Sequence, residues 1–261
     1  MVDGNSFDFT YSFYRQLLFT AKINFEHSSF SQAREIFTKQ NSKPIIFLRH
    51  DVDLDIDKAL SMAKIENENG VKSCFMVMTN CPFYSIQDSS TKIFLKELIG
   101  MNHEIGLHFH FSNPDERDEN TLIDNKIIEQ INSDCTRLEN IISQRINSIS
   151  FHRPLKQFLH GPLIIADRIN AYSAELMDWY LSDSKGMWRE GNPINHLINP
   201  KKNILQLLVH PIWWDDINQK AQDRLQSFFD DKTKDLSEEE KRFFDNNLSS
   251  HLSIYRSKKG N

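Results

Sequence analysis

The sequence predicts an α/β fold with a mainly parallel sheet, on three observations. Four apolar runs each end in residues able to bind a metal or move a proton: 44–48 leads into Arg49, His50, Asp51, Val52 and Asp53, 104–107 into His108 and His110, 148–151 into His152 and Arg153, and 204–209 into His210. Short β-branched and aromatic runs alternate with segments whose apolar residues recur every 3.6 positions, the pattern of strands separated by crossover helices. The chain has 261 residues, enough for an α/β barrel as one domain. In such a sheet or barrel the carboxyl ends of the strands converge on one face, where ligands bind. The four clusters can therefore form a single site.

The elements follow in order. Tyr14, Leu17, Leu18 and Ala21 lie at helical spacing and predict a helix over 11–25, inside an N-terminal extension packed on the main domain. Residues 45–51 read as a strand, and its period of two places Arg49, Asp51 and Asp53 on one side with His50 on the other. Asp55 and Asp57 open a helix carrying Ile56, Ala59, Leu60 and Ala63, and Gly70 stops it. A strand over 71–78, a helix over 90–101 and a strand over 104–110 come next, the last with Gly106, His108 and His110 sharing a face.

A long amphipathic helix is expected over 122–143 and a strand over 148–152. Residues 171–180 and the polar loop 182–191 read as an excursion over the mouth of the site, and 204–209 as a last buried strand. Residues 215–252 alternate charged and apolar positions and predict one or two helices with solvated faces, a homo-oligomer contact being the other reading. One domain covers 1–261, with its core at 44–214 and helical extensions at 1–40 and 215–261.

Composition narrows the function class. A hydrophobic fraction of 39% with 26% charged residues excludes disordered and membranous chains. A net charge of −5 gives no footprint for nucleic acid or anionic lipid. No stretch approaches the ~18 apolar residues of a membrane helix, and the first residues lack a basic segment followed by an apolar one, so a cytoplasmic protein is expected. Cys74, Cys81 and Cys135 are an odd set without Cys-x-x-Cys spacing, against both a disulfide framework and a zinc knuckle.

Two carboxylates as close as Asp51 and Asp53 repel unless a cation or proton separates them. A divalent metal held by one aspartate and two histidines, with His108 and His110 the nearest pair, resolves this. Such donors suit Zn²⁺, with Co²⁺, Ni²⁺ and Fe²⁺ as alternatives. The other aspartate is then free to act as general base on a water at the metal, and His210 can protonate a leaving group. Arg153 and the pair Trp213 and Trp214 complete the mouth, a guanidinium for a carboxylate and indole faces for sugar rings. Asp183, Trp188 and Arg189 in the polar loop are further candidate substrate contacts.

The segments 49–53, 102–110, 150–154 and 207–214 resemble, in that order, the motifs of the polysaccharide deacetylase superfamily, the carbohydrate esterases of NodB-homology type. They look most like a divergent branch associated with bacterial surface-polysaccharide biosynthesis. The resemblance implies a distorted (β/α) barrel with fewer than eight strands and a metal-dependent hydrolase that removes acetyl groups from N-acetylated sugars; an acetamido sugar, nucleotide- or lipid-linked, is the expected substrate. It makes Asp51 the base, Asp53 and His108 metal ligands, Arg153 the buttress of the base and His210 the general acid. Val52 separates aspartates that the common pattern has adjacent, and Ser112 stands where a second histidine is usual. His110, or alternatively His152, is left to supply the third ligand.

Overall fold

Residues 45–52 form the central strand because every side chain in them, charged or apolar, is buried on one of two covered faces. The computed structural model describes residues 8–38, 41–111, 123–154, 158–234 and 236–251. In chain order these give helix α1 (Tyr11–Asn24), strand β1 (Glu26–His27), the short helix α2 (Ala33–Ile36), β2 (Ile45–Val52), α3 (Ile56–Glu68), β3 (Cys74–Val77), α4 (Ser89–Gly100), β4 (Glu104–Phe109), α5 (Asn125–Ile142) and β5 (Ser148–Phe151). There follow β6 (Ile164–Ile165), β7 (Arg168–Asn170), β8 (Trp179–Ser182), α6 (Pro193–Ile198), β9 (Ile204–Val209), α7 (Ala221–Thr233) and α8 (Glu238–His251).

The nine strands make one sheet in the order β6-β7-β5-β4-β3-β2-β9-β8, with β1 paired beside the start of β2. Among the described residues only β6 and β7 pair antiparallel. Setting aside β1 and β6, seven strands run parallel. The sheet is curled into a half-barrel, and side chains from its middle reach across the interior. Gln206 on β9 donates to the carbonyl of Ala171 just after β7, at 2.7 Å, and Arg49 on β2 donates to the Tyr172 hydroxyl at 2.8 Å. The mostly parallel sheet expected from the sequence is thus present, its half-barrel curl is consistent with the expected distorted barrel, and β8 and β6 at the two ends of the sheet remain apart among the described residues.

Local chemistry sets the helices. The Asp55 side chain accepts the backbone N–H groups of Asp57 and Lys58 and starts α3, and Gly70 follows its end with φ +64°. Asp124 caps α5 in the same way through Ile127 N–H, and the helix buries Ile127, Ile131, Cys135 and Leu138 against β4 and β5. Helix α1 buries Tyr14, Leu17, Leu18 and Ala21 in one cluster with Leu205, Leu207 and Trp214. Gly106 on β4 has no room for a side chain, since a Cβ there would sit 2.3 Å from Met76 Sδ and 2.8 Å from Ser148 Oγ.

Two expectations are corrected. Residues 171–180 are not wholly an excursion, because β8 begins at Trp179 and joins the sheet beside β9. β6 and β7, also unforeseen, precede it. Strands of two to four residues are too short to display a period, and only their partners reveal them. The expected strand over 71–78 narrows to β3, and the expected start of α5 at residue 122 lies outside the described residues.

Candidate metal centre and its acid and base

Five strands deliver the groups. Asp51 is the penultimate residue of β2 and Asp53 follows its end, His108 lies on β4, and His152, Asp183 and His210 follow β5, β8 and β9 directly. Parallel strands bring all of these to one rim. Asp53 Oδ1 is 3.0 Å from His108 Nε2 and 3.4 Å from His152 Nδ1, and the two nitrogens are 3.3 Å apart. A tetrahedral Zn²⁺ with bonds of about 2.0–2.1 Å has ligand-to-ligand edges of about 3.3 Å. The three atoms therefore stand at the spacing of three corners of such a site, and their chemistry, one carboxylate and two imidazoles, suits it. His108 Nδ1 lies 2.6 Å from Ser150 Oγ, which fixes the ring so that Nε2 faces Asp53.

Asp51 stands beside this trio, its Oδ2 3.8 Å from His108 Nε2. Both of its oxygens accept from Arg49, Nε to Oδ1 and Nη2 to Oδ2, each at 2.9 Å. Burial opposes ionisation of both aspartates. It is outweighed by Arg49 beside Asp51 and by His152 and His108 beside Asp53, and the carboxyls lie below their ordinary range.

On the other side, His210 Nδ1 meets Asp183 Oδ1 at 2.6 Å, and its Nε2 lies 4.0 Å from Asp53 Oδ2. Asp183 also accepts the His210 backbone N–H at 2.9 Å and the Trp214 indole N–H at 2.9 Å. Burial alone would lower the His210 pKa, but the Asp183 hydrogen bond and charge, with Asp53 and Asp51, raise it to about 9. In the metal-free chain these acids hold the imidazole toward its protonated form. A cavity of about 350 Å³ opens over these groups, walled by Phe151, Tyr172, Leu208, Ile212 and Trp213. A larger recess of about 600 Å³, near His103 and Glu104 at the opposite ends of the strands, holds no metal-type donor trio among the described residues.

The sequence placed several of these residues differently. His110 is half-buried, with its ring 5.0 Å from that of His152, and it is outside the donor trio. β4 ends at Phe109, so strand alternation no longer carries His110 to the side of His108, and His152 stands there instead. Arg153, the expected buttress, lines the cavity, and Arg49 holds both oxygens of Asp51. Asp183 is fully buried and holds His210 rather than facing the mouth. Trp188 and Trp214 are packing residues: Trp188 stacks on Phe9 and Trp214 lies against Tyr14. Trp213 does line the cavity, whereas Arg189 is exposed and off its wall. Arg49, Ser150, Tyr172 and Gln206 carried no expected role. For Arg49 the two-residue spacing from Asp51 was a usable signal.

No family model matches the sequence, and no curated protein does. Solved structures with a similar chain course include a CE4 family pseudoenzyme from Bacillus anthracis, at 14% identity and TM-score 0.42 over 75% of this chain and 62% of that one. A family 4 carbohydrate esterase from the same organism has 14% identity and TM-score 0.44, covering 88% and 89%. The chitin deacetylase of the fungal pathogen Colletotrichum lindemuthianum has 17% identity and TM-score 0.42, covering 81% and 84%. The chain spans less than two thirds of the length of that pseudoenzyme.

Proposed function

We propose that this chain is a metal-dependent N-deacetylase acting on an acetamido sugar. The observation that carries the reading is the convergence of Asp53, His108 and His152 at tetrahedral spacing between an ionised Asp51 and a protonated His210. When bound, a divalent cation, Zn²⁺ by its donors, supplies Lewis-acid polarisation of the amide carbonyl and a lowered pKa for water. Asp51, held by Arg49, takes the proton of the attacking water. His210, held at Nδ1 by Asp183, presents Nε2 to the cavity and donates to the departing amine. Leu208, Ile212 and Trp213 give the acetyl group an apolar wall.

Acetate and a free amino sugar are the products. A role in surface-polysaccharide biosynthesis is supported by the motif resemblance. A cytoplasmic setting accords with three unbridged cysteines, and no described helix is long and apolar enough to cross a membrane.

A second reading is a sugar-binding barrel without hydrolysis, favoured by one observation: both Asp51 oxygens are engaged by Arg49. Acetate release from N-acetylated sugars, assayed with and without added Zn²⁺, separates the two. The deacetylase reading requires release that depends on metal and falls at least about 100-fold in Asp51→Asn. Sugar binding that chelator leaves unchanged, with no release under any condition, would instead establish the binding barrel.

A further inference from the structure

Tyr172 lies just past β7, outside any strand or helix, yet hydrogen bonds fix it and its neighbour Ala171 on every side. The Tyr172 N–H donates to Asn170 Oδ1 at 3.0 Å and the Ala171 N–H to the Ile149 carbonyl at 2.9 Å, while the Ala171 carbonyl accepts from Gln206 Nε2 at 2.7 Å. At the far end of the ring, Tyr172 Oη accepts from Arg49 Nη2 at 2.8 Å. Tyr172 is 5% exposed and walls the cavity that holds Asp51, Asp53 and His210.

Only one half of this hydroxyl is accounted for. A guanidinium nitrogen donates and cannot accept, so Arg49 uses a lone pair of Oη and leaves the phenolic proton for another acceptor. No described residue takes it. The buried Arg49 needs acceptors, which explains the lone pair but not a donor at a cavity wall. A buried donor left unmade costs free energy that an oxygen of a bound ligand would recover.

The position of the hydroxyl says which oxygen. Arg49 Nη2 also donates to Asp51 Oδ2 at 2.9 Å, so the phenol and the proposed base are two acceptors of one nitrogen. A hydroxyl that accepts from a cation is polarised into a stronger donor. This donor therefore stands beside the carboxylate that takes the proton of the attacking water.

Building on the deacetylase reading, we infer that Tyr172 is a further catalytic residue, whose Oη–H donates to the acetyl carbonyl oxygen of the substrate as negative charge gathers there. The water oxygen adds to the carbonyl carbon, its proton passes to Asp51, and the C=O electron pair moves onto the oxygen that Tyr172 hydrogen-bonds. That pair re-forms the C=O bond as the C–N bond breaks, and His210 gives its proton to the nitrogen. Solvent returns the Asp51 proton to His210, and Tyr172 keeps its own proton throughout.

The test compares the zinc-loaded full chain with Tyr172→Phe, which keeps the ring over Arg49 and removes only the hydroxyl. Two substrates are used, the methyl glycoside of N-acetylglucosamine and its N-thioacetyl counterpart. For the amide, kcat is expected to fall about 100-fold with KM nearly unchanged. For the thioamide, whose sulfur is a weak acceptor, the fall is expected to be about tenfold or less. Each ratio is taken within one preparation, so any loss of folded protein cancels. Calorimetry with the methylphosphonamidate of glucosamine, a tetrahedral anion, is expected to show binding about 100-fold weaker in Tyr172→Phe. Equal falls for amide and thioamide overturn the inference, because the hydroxyl would then act only through Arg49. So does a raised KM at unchanged kcat, or unchanged binding of the phosphonamidate. A wild type that releases neither acetate nor thioacetate removes the deacetylase reading and the inference with it, whereas an active wild type with equal falls removes the inference alone.

Discussion

Arg49 and Asp51, separated by one residue on β2, form a bidentate ion pair that is sealed from solvent, with both hydrogen bonds at 2.9 Å. The remaining donors of Arg49 reach Gln206 Oε1 at 2.7 Å and the Tyr172 hydroxyl at 2.8 Å, and its guanidinium lies 4.5 Å from the Tyr172 ring centroid. The pair therefore fixes the carboxylate proposed as base and ties β2 to β9 and to the chain after β7.

Removing one partner of a buried pair leaves an uncompensated charge. Arg49→Met is expected to lower stability by about 3–5 kcal/mol. Adding Asp51→Asn to it should recover a large part of that loss. Urea unfolding of the two variants checks this, and a double variant no more stable than the single one would show that the charge is not the cause.

His152 and His110 make opposite expectations for metal content. Dialysed wild-type protein should hold about one Zn²⁺ per chain by elemental analysis. His152→Ala should lose it and His110→Ala should keep it. Ser150→Ala, which frees the far side of the His108 ring, should weaken binding by about 10–100-fold. Loss of metal in His110→Ala with retention in His152→Ala would reverse the assignment.

In the metal-free chain His210 is expected to titrate near pH 9, and Asp183→Asn to move that midpoint down. The folded pKa is above the ordinary value of 6.5, so the imidazolium contributes stability that is fully present below about pH 6.5 and is lost as pH rises through about 9. Imidazole chemical shifts followed by NMR read the midpoint directly. A value at or below 6.5 in the wild type would contradict the role given to Asp183.

Glu66 stands on the far side of β2 and gathers His50 Nε2 at 2.5 Å, Ser73 Oγ at 2.5 Å and the Tyr14 hydroxyl. Burial raises its pKa, but His50, His103 and Ser73 outweigh burial and keep it below the ordinary 4.5. Its contribution is present above about pH 4.5 and is lost as pH falls through the lower folded value. Glu66→Gln should cost about 1–3 kcal/mol at pH 7 and flatten the acid side of the stability profile. Thermal unfolding measured from pH 7 to pH 3 compares the two slopes, and parallel profiles would exclude Glu66 as the acid-sensitive group.

Much of the scaffold is readable locally, because period and capping act between near neighbours. The strand over 204–209, the Asp55 cap, the apolar face of α5, and Arg49 with Asp51 on one side of β2 all follow from spacings of two to four residues. Strand ends also announced Asp53, His108 and His210 as members of one rim. What the sequence by itself determined is therefore which side of its own element each of these residues takes.

Tertiary structure decided the rest. His152, not His110, completes the donor trio because β4 ends one residue before His110 and the curled sheet brings the end of β5 beside it. Trp188 and Trp214 are packing residues because Phe9 and α1, distant in sequence, cover them. Asp183 turns inward to His210 because β8 pairs with β9. Each of these outcomes depends on the register and curl of strands far apart in the chain, which local spacing does not encode.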